Sequence, residues 1–185
     1  MTLILASTSP YRKQLLQRLQ LPFTQVDPRF EEALPGSMSA SELVLFNSAG
    51  KAENVLSRFP DSTVIASDQL AVCGESVVGK PGSADRACEQ LAMLSGKSVT
   101  FLTGLALFSK NQRQQEIIPY DVIFRDLTDL EISNYVKKEN PIDCAGSFKS
   151  EGLGVSLFEK MQGDDPTALI GLPLIRLSQW LKPLA

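Results

Sequence analysis

Leu3-Ile4-Leu5-Ala6-Ser7-Thr8-Ser9-Pro10, close to the start of the 185-residue chain, has the residue pattern of a strand followed by a helix. Leu3–Ala6 is a short apolar run, which predicts a buried strand. Ser9 and Pro10 have the residue types of an N-cap and a first helical position, and we expect the helix to reach Leu19. The chain therefore opens with a strand, a tight turn and a helix.

The same alternation continues along the rest of the chain. Two capping-box patterns, Ser39-x-x-Glu42 and Thr128-x-x-Glu131, predict helices that extend to about residues 59 and 138. The other expected elements are strands at 22–26, 63–66 and 155–161, a hairpin over 71–78, a helix over 83–96, antiparallel strands at 99–108 and 117–124, a turn at 163–166 and a last helix after 173. This order predicts one α/β domain over residues 1–185, with a mixed twisted sheet and flanking helices.

The composition is that of a soluble globular protein, with 43% hydrophobic and 21% charged residues. A net charge of −3 argues against binding to a nucleic-acid polymer. No apolar run reaches the ~18–20 residues of a membrane span, and the first residues lack the pattern of a signal peptide. Three widely spaced cysteines suggest reduced, mostly buried thiols rather than disulfides or a zinc site. We expect a cytoplasmic protein.

The chain contains no histidine. This absence excludes Ser-His-Asp and Cys-His catalysis and histidine-rich metal sites. Carboxylates, lysines or a bound cation must carry any chemistry, and a site built from acidic residues favours Mg²⁺ or Mn²⁺.

Several segments are candidates for a site, although each also has a plain structural interpretation. Ser7 to Lys13 joins a strand to a helix and could bind an anion at the helix N-terminus, or could simply cap that helix. Asp68 follows an apolar strand and could bind a metal or accept a proton, or could begin a turn. Glu31-Glu32, in a loop over residues 27–37, could add a metal ligand or be solvated.

Two lysines and one glycine-containing loop complete the candidates. Lys51, on a predicted helix, and Lys80, after the hairpin, could bind phosphate or lie on the surface. Cys144-Ala145-Gly146-Ser147-Phe148-Lys149-Ser150-Glu151-Gly152 could bind a base or be a connecting loop. A Walker A motif is absent from the sequence.

Taken together, these segments resemble the Maf family of nucleotide pyrophosphatases along nearly the whole chain. The matching stretches are Leu5–Pro10, Glu31-Glu32, Lys51-Ala52, Ser67-Asp68-Gln69, Gly79-Lys80-Pro81, Leu94-Ser95-Gly96, Thr103-Gly104, Ala145-Gly146 and Ile170-Gly171-Leu172-Pro173-Leu174. The resemblance implies two lobes around a central cleft, as in inosine-triphosphatase-like folds, and a house-cleaning role in nucleotide metabolism. It also implies hydrolysis of a nucleoside triphosphate to a monophosphate and pyrophosphate, and a possible homodimer.

The resemblance also assigns roles to individual residues. Asp68 is the implied proton acceptor, and Glu32 and Asp68 are the implied ligands of a divalent cation, Mg²⁺ or Mn²⁺. The residues implied to face the triphosphate are Ser7, Arg12, Lys51 and Lys80.

Within the family, the chain is most similar to the 7-methyl-GTP pyrophosphatase branch, through residues 144–152 and the choice of Gln69 after Asp68. Tyr11, Gln69 and Glu151 are then expected to contact the base: Tyr11 by stacking on the cationic ring, and Glu151 by accepting its N–H groups. The alternatives are a dTTP/UTP pyrophosphatase of the same family and a non-catalytic nucleotide-binding regulator linked to cell division. The chain differs from that branch at three positions: Tyr11 often aligns with tryptophan, Phe46 with arginine and Gly50 with glutamate.

Overall fold

The computed structural model describes residues 2–36 and 38–182. Ser37, in the predicted loop over residues 27–37, lies outside the described residues, as do Met1 and residues 183–185. The strands within this part of the chain are β1 (Thr2–Ala6), β2 (Thr24–Val26), β3 (Ser62–Cys73), β4 (Ser76–Val78), β5 (Ser98–Phe108), β6 (Arg113–Phe124) and β7 (Phe158–Gln162).

Five of the six α-helices in the described residues begin directly after a residue whose side chain caps them. The six are α1 (Pro10–Gln17), α2 (Ala40–Arg58), α3 (Ala84–Leu94), α4 (Asp129–Glu139), α5 (Pro166–Ile170) and α6 (Leu174–Leu181). Both predicted capping boxes are confirmed: Ser39 with Glu42 starts α2, and Thr128 with Glu131 starts α4. In each box the hydroxyl accepts the N3 amide while the glutamate accepts the N-cap amide, which satisfies two donors that the helix itself cannot.

The seven strands form one mixed sheet, as the sequence predicted. Its order is β2-β1-β3-β5-β6-β7, with β4 paired to β3 beside this path. β1 is parallel to both β2 and β3, with Ile4 opposite Thr24 and Val64, whereas β3–β4 and β6–β7 are antiparallel. β5 and β6 are adjacent and are joined by residues 109–112, a link short enough only for an antiparallel pair.

The chain forms two compact units, and β3, β5 and β6 contribute residues to both. The described parts of the first unit are residues 2–36, 38–69, 102–118 and 165–182, and those of the second are residues 70–101 and 119–164.

In the first unit, strand alternation separates two hydrophobic cores. Odd-numbered strand residues such as Leu5 and Ile65 pack with apolar side chains of α1, α5 and α6. Even-numbered ones such as Ile4 and Val64 pack with Ala52, Val55 and Leu56 of α2. Because side chains alternate along β3, Asp68 must face the α2 side, whereas Ser67 and Gln69 must face the side of α1 and α5.

Gly104 of β5 allows α2 to pack closely against the sheet. A β-carbon at this position would lie 2.5 Å from the backbone carbonyl oxygen of Val44 in α2. Any side chain here would push the helix away from the strand, and with it the residues that α2 presents toward Asp68.

Asp165, which is 2% exposed, caps two helices at once. Its Oδ1 accepts the amide of Thr167 at the start of α5 (2.9 Å), and its Oδ2 accepts the amide of Ile175 at the start of α6 (2.7 Å). The hydroxyl of Thr167 accepts the Leu174 amide at 2.7 Å. One carboxylate thus fixes α5, α6 and the Gly171 turn between them, in the environment that a helix N-terminus offers an anion.

The second unit has an aromatic core of four phenylalanines. The ring centroids of Phe148 lie 5.2 Å from Phe101, 5.6 Å from Phe124 and 4.7 Å from Phe158, all in edge-to-face arrangements. Gly146, with a φ of 74°, brings its backbone against two of these rings. The predicted connecting or base-binding loop is therefore packed against this aromatic core at Gly146 and Phe148.

Several predicted elements differ from the observed ones. The first helix ends at Gln17 rather than at Leu19. The strand predicted at 155–161 is a 3-10 helix (Leu153–Leu157) followed by β7. The turn predicted at 163–166 leads directly into α5, because Asp165 and Pro166 supply an N-cap and a first helical residue. The three cysteines are unpaired, but they are partly exposed rather than buried.

Among the described residues, none of the helices combines the length and apolar character that a membrane crossing requires.

Candidate functional site

Asp68 lies within β3, not after it, so the prediction that it follows the strand is wrong. The strand continues through Ser67-Asp68-Gln69 because the hairpin with β4 extends its pairing to Cys73. The side chain of Asp68 is 8% exposed and forms an ion pair with Lys51 of α2, with 2.7 Å between Oδ1 and Nζ. Lys51 is 4% exposed, so its interpretation as a surface lysine is also wrong.

A second carboxylate approaches the same ammonium group. Oε1 of Glu32 lies 2.5 Å from Lys51 Nζ, and the Glu32 side chain is 53% exposed. Glu31, its neighbour, is exposed. Lys51 Nζ therefore marks a position at which two carboxylates, one buried and one open to solvent, face a single positive charge.

Asn47, one turn before Lys51 on α2, contacts both sides of this cluster. Its Nδ2 donates to Asp68 Oδ2 at 3.1 Å and to the Ala33 carbonyl at 3.3 Å. Its Oδ1 accepts the Ala33 amide at 2.9 Å. Sequence reasoning missed this residue, although a signal was present: Asn47 is a polar residue at a position where the helical period of Leu43 and Val44 predicts an apolar one.

Helix α2 contacts residues 27–33, the segment that includes Glu32, at several successive turns. Arg58 donates to the Asp27 carbonyl at 2.6 Å, and Asn54 approaches the Arg29 carbonyl at 3.5 Å. At Gly50, the ring of Phe30 occupies the space of the missing side chain, so that a β-carbon there would overlap the ring. Gly50 therefore has a packing reason: it makes room for Phe30.

Arg12 brings a further positive charge to the first unit. Its Nε donates to the Gly171 carbonyl at 3.0 Å, and the hydroxyl of Ser67 donates to the same oxygen at 2.6 Å. Desolvation lowers the pKa of the Arg12 guanidinium, while the negative charges of Asp68 and then Glu32 act to raise it. The Gly171 carbonyl thus fixes Arg12 in the field of both carboxylates.

The turn after β1 is less open to an anion than the sequence suggested. The Ser7 amide donates to the carbonyls of Leu5 (3.0 Å) and Val26 (3.1 Å), and the Ser9 amide donates to Ser7 Oγ at 3.1 Å. Ser9 Oγ in turn caps α1 by accepting the Arg12 amide. These three amides are bonded within the turn and the helix start, so they are not available to an anion; Ser7 is buried and Lys13 exposed.

Gln69 has a fixed orientation on the α5 side of β3. Its Nε2 donates to Thr103 Oγ1 (3.1 Å) and to the carbonyls of Ala168 (2.7 Å) and Leu169 (3.1 Å). The two carbonyl oxygens can only accept, so the amide nitrogen of Gln69 must face them, and its two hydrogens are shared among the three acceptors. The carbonyl oxygen of Gln69 is then the atom that this side chain can offer to a ligand.

The remaining predicted residues lie in both units. Tyr11 is half-buried on α1 in the first unit. Lys80, after β4, and Glu151, whose Oε2 accepts the Ser150 hydroxyl at 3.3 Å, are exposed residues of the second unit. Their roles toward a nucleotide stay predictions.

Glu32 and Asp68 have the donor atoms that a hard divalent cation prefers. Within residues 2–36 and 38–182, no three His, Cys, Asp or Glu side chains are grouped so as to hold a metal ion. Glu32 and Asp68 nevertheless face one cationic position with oxygen ligands. Mg²⁺ commonly binds to one or two carboxylates, with water and substrate phosphates completing its shell.

The fold resembles that of one solved structure over its full length. The Staphylococcus aureus Ham1 protein aligns with a TM-score of 0.58 and 15% sequence identity, covering 100% of both chains. At this identity the likeness concerns the fold alone.

Two curated relatives are much more similar in sequence. A 7-methyl-GTP pyrophosphatase of Alkalilimnicola ehrlichii is 54% identical over 181 residues, 97% of this chain and 91% of the relative. A 7-methyl-GTP pyrophosphatase of Pseudomonas aeruginosa is 52% identical over 181 residues, 97% of this chain and 94% of the relative. Residues 2–184 match the family described as Maf-like protein, and the chain therefore belongs to the Maf family.

Proposed function

We propose that this protein hydrolyses 7-methyl-GTP to 7-methyl-GMP and pyrophosphate by attack of water on the α-phosphorus. The observation that supports the proposal is the buried Asp68–Lys51 ion pair, which also involves Glu32 and lies in the field of the Arg12 charge. The chain is also about half identical to two proteins named 7-methyl-GTP pyrophosphatase. The three unpaired cysteines suit a reducing compartment, and we place the activity in the cytoplasm.

Asp68 is the proposed proton acceptor. Each of its oxygens has one partner, Lys51 for Oδ1 and Asn47 for Oδ2. A carboxylate has about four lone-pair sites, so Asp68 can still accept a hydrogen bond from a water molecule. Its partners hold the carboxylate in one orientation, which is what a general base requires.

The positive groups have the complementary task. Arg12 and Lys51 supply charge near the carboxylates, and the flexible side chain of Lys51 allows its ammonium to move from the carboxylates to a phosphate oxygen when a nucleotide binds. Ser7 and Lys80 are assigned to the triphosphate by the family resemblance. Glu32 and Asp68 would hold Mg²⁺ or Mn²⁺, which would polarise the phosphoryl group when bound.

Selection of the base is assigned to Tyr11, Gln69 and Glu151. The 7-methylguanine ring is cationic, so stacking on Tyr11 and a negative charge at Glu151 both favour it over guanine. Gln69 would add an acceptor, because its nitrogen is already engaged by Thr103 and by two carbonyls of α5.

The decisive experiment measures products over a nucleotide panel. Purified protein with Mg²⁺ or Mn²⁺ is incubated with 7-methyl-GTP, GTP, dTTP, UTP and the corresponding diphosphates, and pyrophosphate and orthophosphate are quantified separately. We expect pyrophosphate release that is fastest with 7-methyl-GTP. Faster turnover of dTTP or UTP would indicate a dTTP/UTP pyrophosphatase. Stepwise orthophosphate release would indicate a phosphatase, and nucleotide binding without products would indicate a non-catalytic regulator.

A further inference from the structure

We propose that Asn47 is a positioning residue that holds the carboxylates of Asp68 and Glu32 toward one cation position. This inference rests on the proposed function, which assigns Asp68 and Glu32 to a divalent cation. Neither the family match nor the similar proteins assign a role to this residue.

The bonding of the Asn47 amide supports a role beyond filling space. Nδ2 has two hydrogens, one directed to Asp68 Oδ2 and one to the Ala33 carbonyl, while Oδ1 accepts the Ala33 amide. An asparagine amide has two N–H donors, and here each donates to an acceptor. A leucine of similar volume has no donor and would leave both acceptors without a hydrogen bond. Asn47 is 2% exposed, so losing these bonds would leave buried polar groups without partners.

Glu32 needs such support because its surroundings leave it free to move. Its side chain is 53% exposed, and no helix or strand includes it. The neighbouring residue, Ala33, has both its amide and its carbonyl bonded to the single side chain of Asn47. That pairing fixes the backbone immediately after Glu32.

A second contact fixes the backbone before Glu32. The Phe30 ring occupies the space over Gly50, one turn beyond Asn47 on α2. Glu32 therefore lies between two attachment points to the same helix face, at residues 30 and 33. Lys51 projects from that face and meets its carboxylate.

The same amide orients the second carboxylate. Asp68 Oδ1 is held by Lys51 and Oδ2 by Asn47, so Oδ2 keeps its hydrogen-bond donor even when Lys51 moves to another partner. The Asn47 side chain therefore links the backbone at Ala33 to the carboxylate of Asp68 in β3. Partners of metal ligands commonly change metal affinity or activity by ~10–100-fold when removed.

The test compares wild-type protein, Asn47→Leu and the control Ser48→Ala. Ser48 is the next residue of α2 and is also buried; its hydroxyl donates to the Leu45 carbonyl and accepts from Gln115 Nε2, and neither partner is one of the two carboxylates. We expect Asn47→Leu to raise the Mn²⁺ concentration for half-maximal pyrophosphate release by ~10-fold and to lower kcat by a similar factor. The KM for 7-methyl-GTP should change by less than ~3-fold, because Asn47 acts on the carboxylates rather than on the nucleotide.

Hydrogen–deuterium exchange supplies a readout that is independent of activity. Removal of the Asn47 acceptor should speed exchange of the Ala33 amide by ~10-fold or more, while Ser48→Ala should leave it unchanged. If Asn47→Leu does not fold, Asn47→Ala carries the same predictions. A folded variant with wild-type Mn²⁺ dependence, or losses as large in Ser48→Ala, would overturn the proposal. If the wild-type protein releases no pyrophosphate, the proposed function fails, and unchanged Ala33 exchange would then be the result that overturns the positioning role.

Discussion

Replacing Asp68 with asparagine is expected to lower both turnover and stability, for separable reasons. The wild-type carboxylate accepts from Lys51 Nζ at 2.7 Å and from Asn47 Nδ2 at 3.1 Å. An asparagine can offer only one acceptor, so its own NH₂ group must face one of these two donors. One hydrogen bond to a charged group is then lost, which costs about 2 kcal/mol.

The loss of stability should be smaller than the loss caused by a buried charge that has no partner at all. Breaking a buried pair costs ~3–5 kcal/mol when the remaining ion has no partner, but Lys51 keeps Glu32 at 2.5 Å. For a chain of this length, about 2 kcal/mol lowers Tm by ~4–8 °C. Turnover should fall by at least ~10²-fold, the scale of a missing general base.

A double variant separates the two effects. In Asp68→Asn/Lys51→Met the buried charge is removed together with its partner, so Tm should recover most of the loss, whereas pyrophosphate release should stay at or below the level of the single variant, because Lys51 is also assigned to the triphosphate. Calorimetry gives the Tm values, and an assay with saturating Mn²⁺ gives kcat. Turnover near the wild-type value in Asp68→Asn, or recovery of turnover in the double variant, would refute the assignment of Asp68.

Three further outcomes are expected. EDTA should abolish pyrophosphate release and excess Mg²⁺ or Mn²⁺ should restore it, because Glu32 and Asp68 are the proposed oxygen ligands; full activity in chelator would remove the metal from the proposal. Glu151→Gln should lower kcat/KM for 7-methyl-GTP by ~10-fold and that for UTP far less, in parallel steady-state assays; equal losses would separate Glu151 from base selection. The pKa of Glu131 lies at about 2, because the Thr128 amide, its hydroxyl and then Arg125 stabilise the carboxylate. Its contribution to stability is therefore complete above pH ~4.3 and is lost as the pH falls toward 2, so the decrease in Tm between pH 5 and pH 2.5 should be smaller in Glu131→Gln.

Sequence patterns predicted the elements whose signals are local. The capping boxes at Ser39 and Thr128 were confirmed because hydroxyl and glutamate lie three residues apart and act within one turn. The hairpin of β3 and β4 was likewise confirmed, with Ala71 opposite Val78. The mixed sheet followed from the order of these elements.

The site was harder to predict because its contacts are not local. The polar run Ser67-Asp68-Gln69 suggested the end of a strand, since the groups that satisfy it come from α2 and from the Gly171 turn, 17 to 104 residues away. Lys51 was compatible with a surface position for the same reason: only the fold shows that its helix face meets two carboxylates. Roles toward phosphate, base and metal came from the family resemblance, and spacing alone did not supply them.

The double cap at Asp165 has a consequence for how this protein would respond to mutation. Main-chain oxygens of Ala168, Leu169 and Gly171 orient Gln69, Ser67 and Arg12, so the identities of the α5 side chains matter little for those contacts. Their positions depend instead on a carboxylate that touches none of the three. Loss of Asp165 should therefore release α5 and α6 as one cooperative unit of local unfolding, and genetic screens would register it as a loss-of-function site although its carboxylate binds none of Gln69, Ser67 and Arg12.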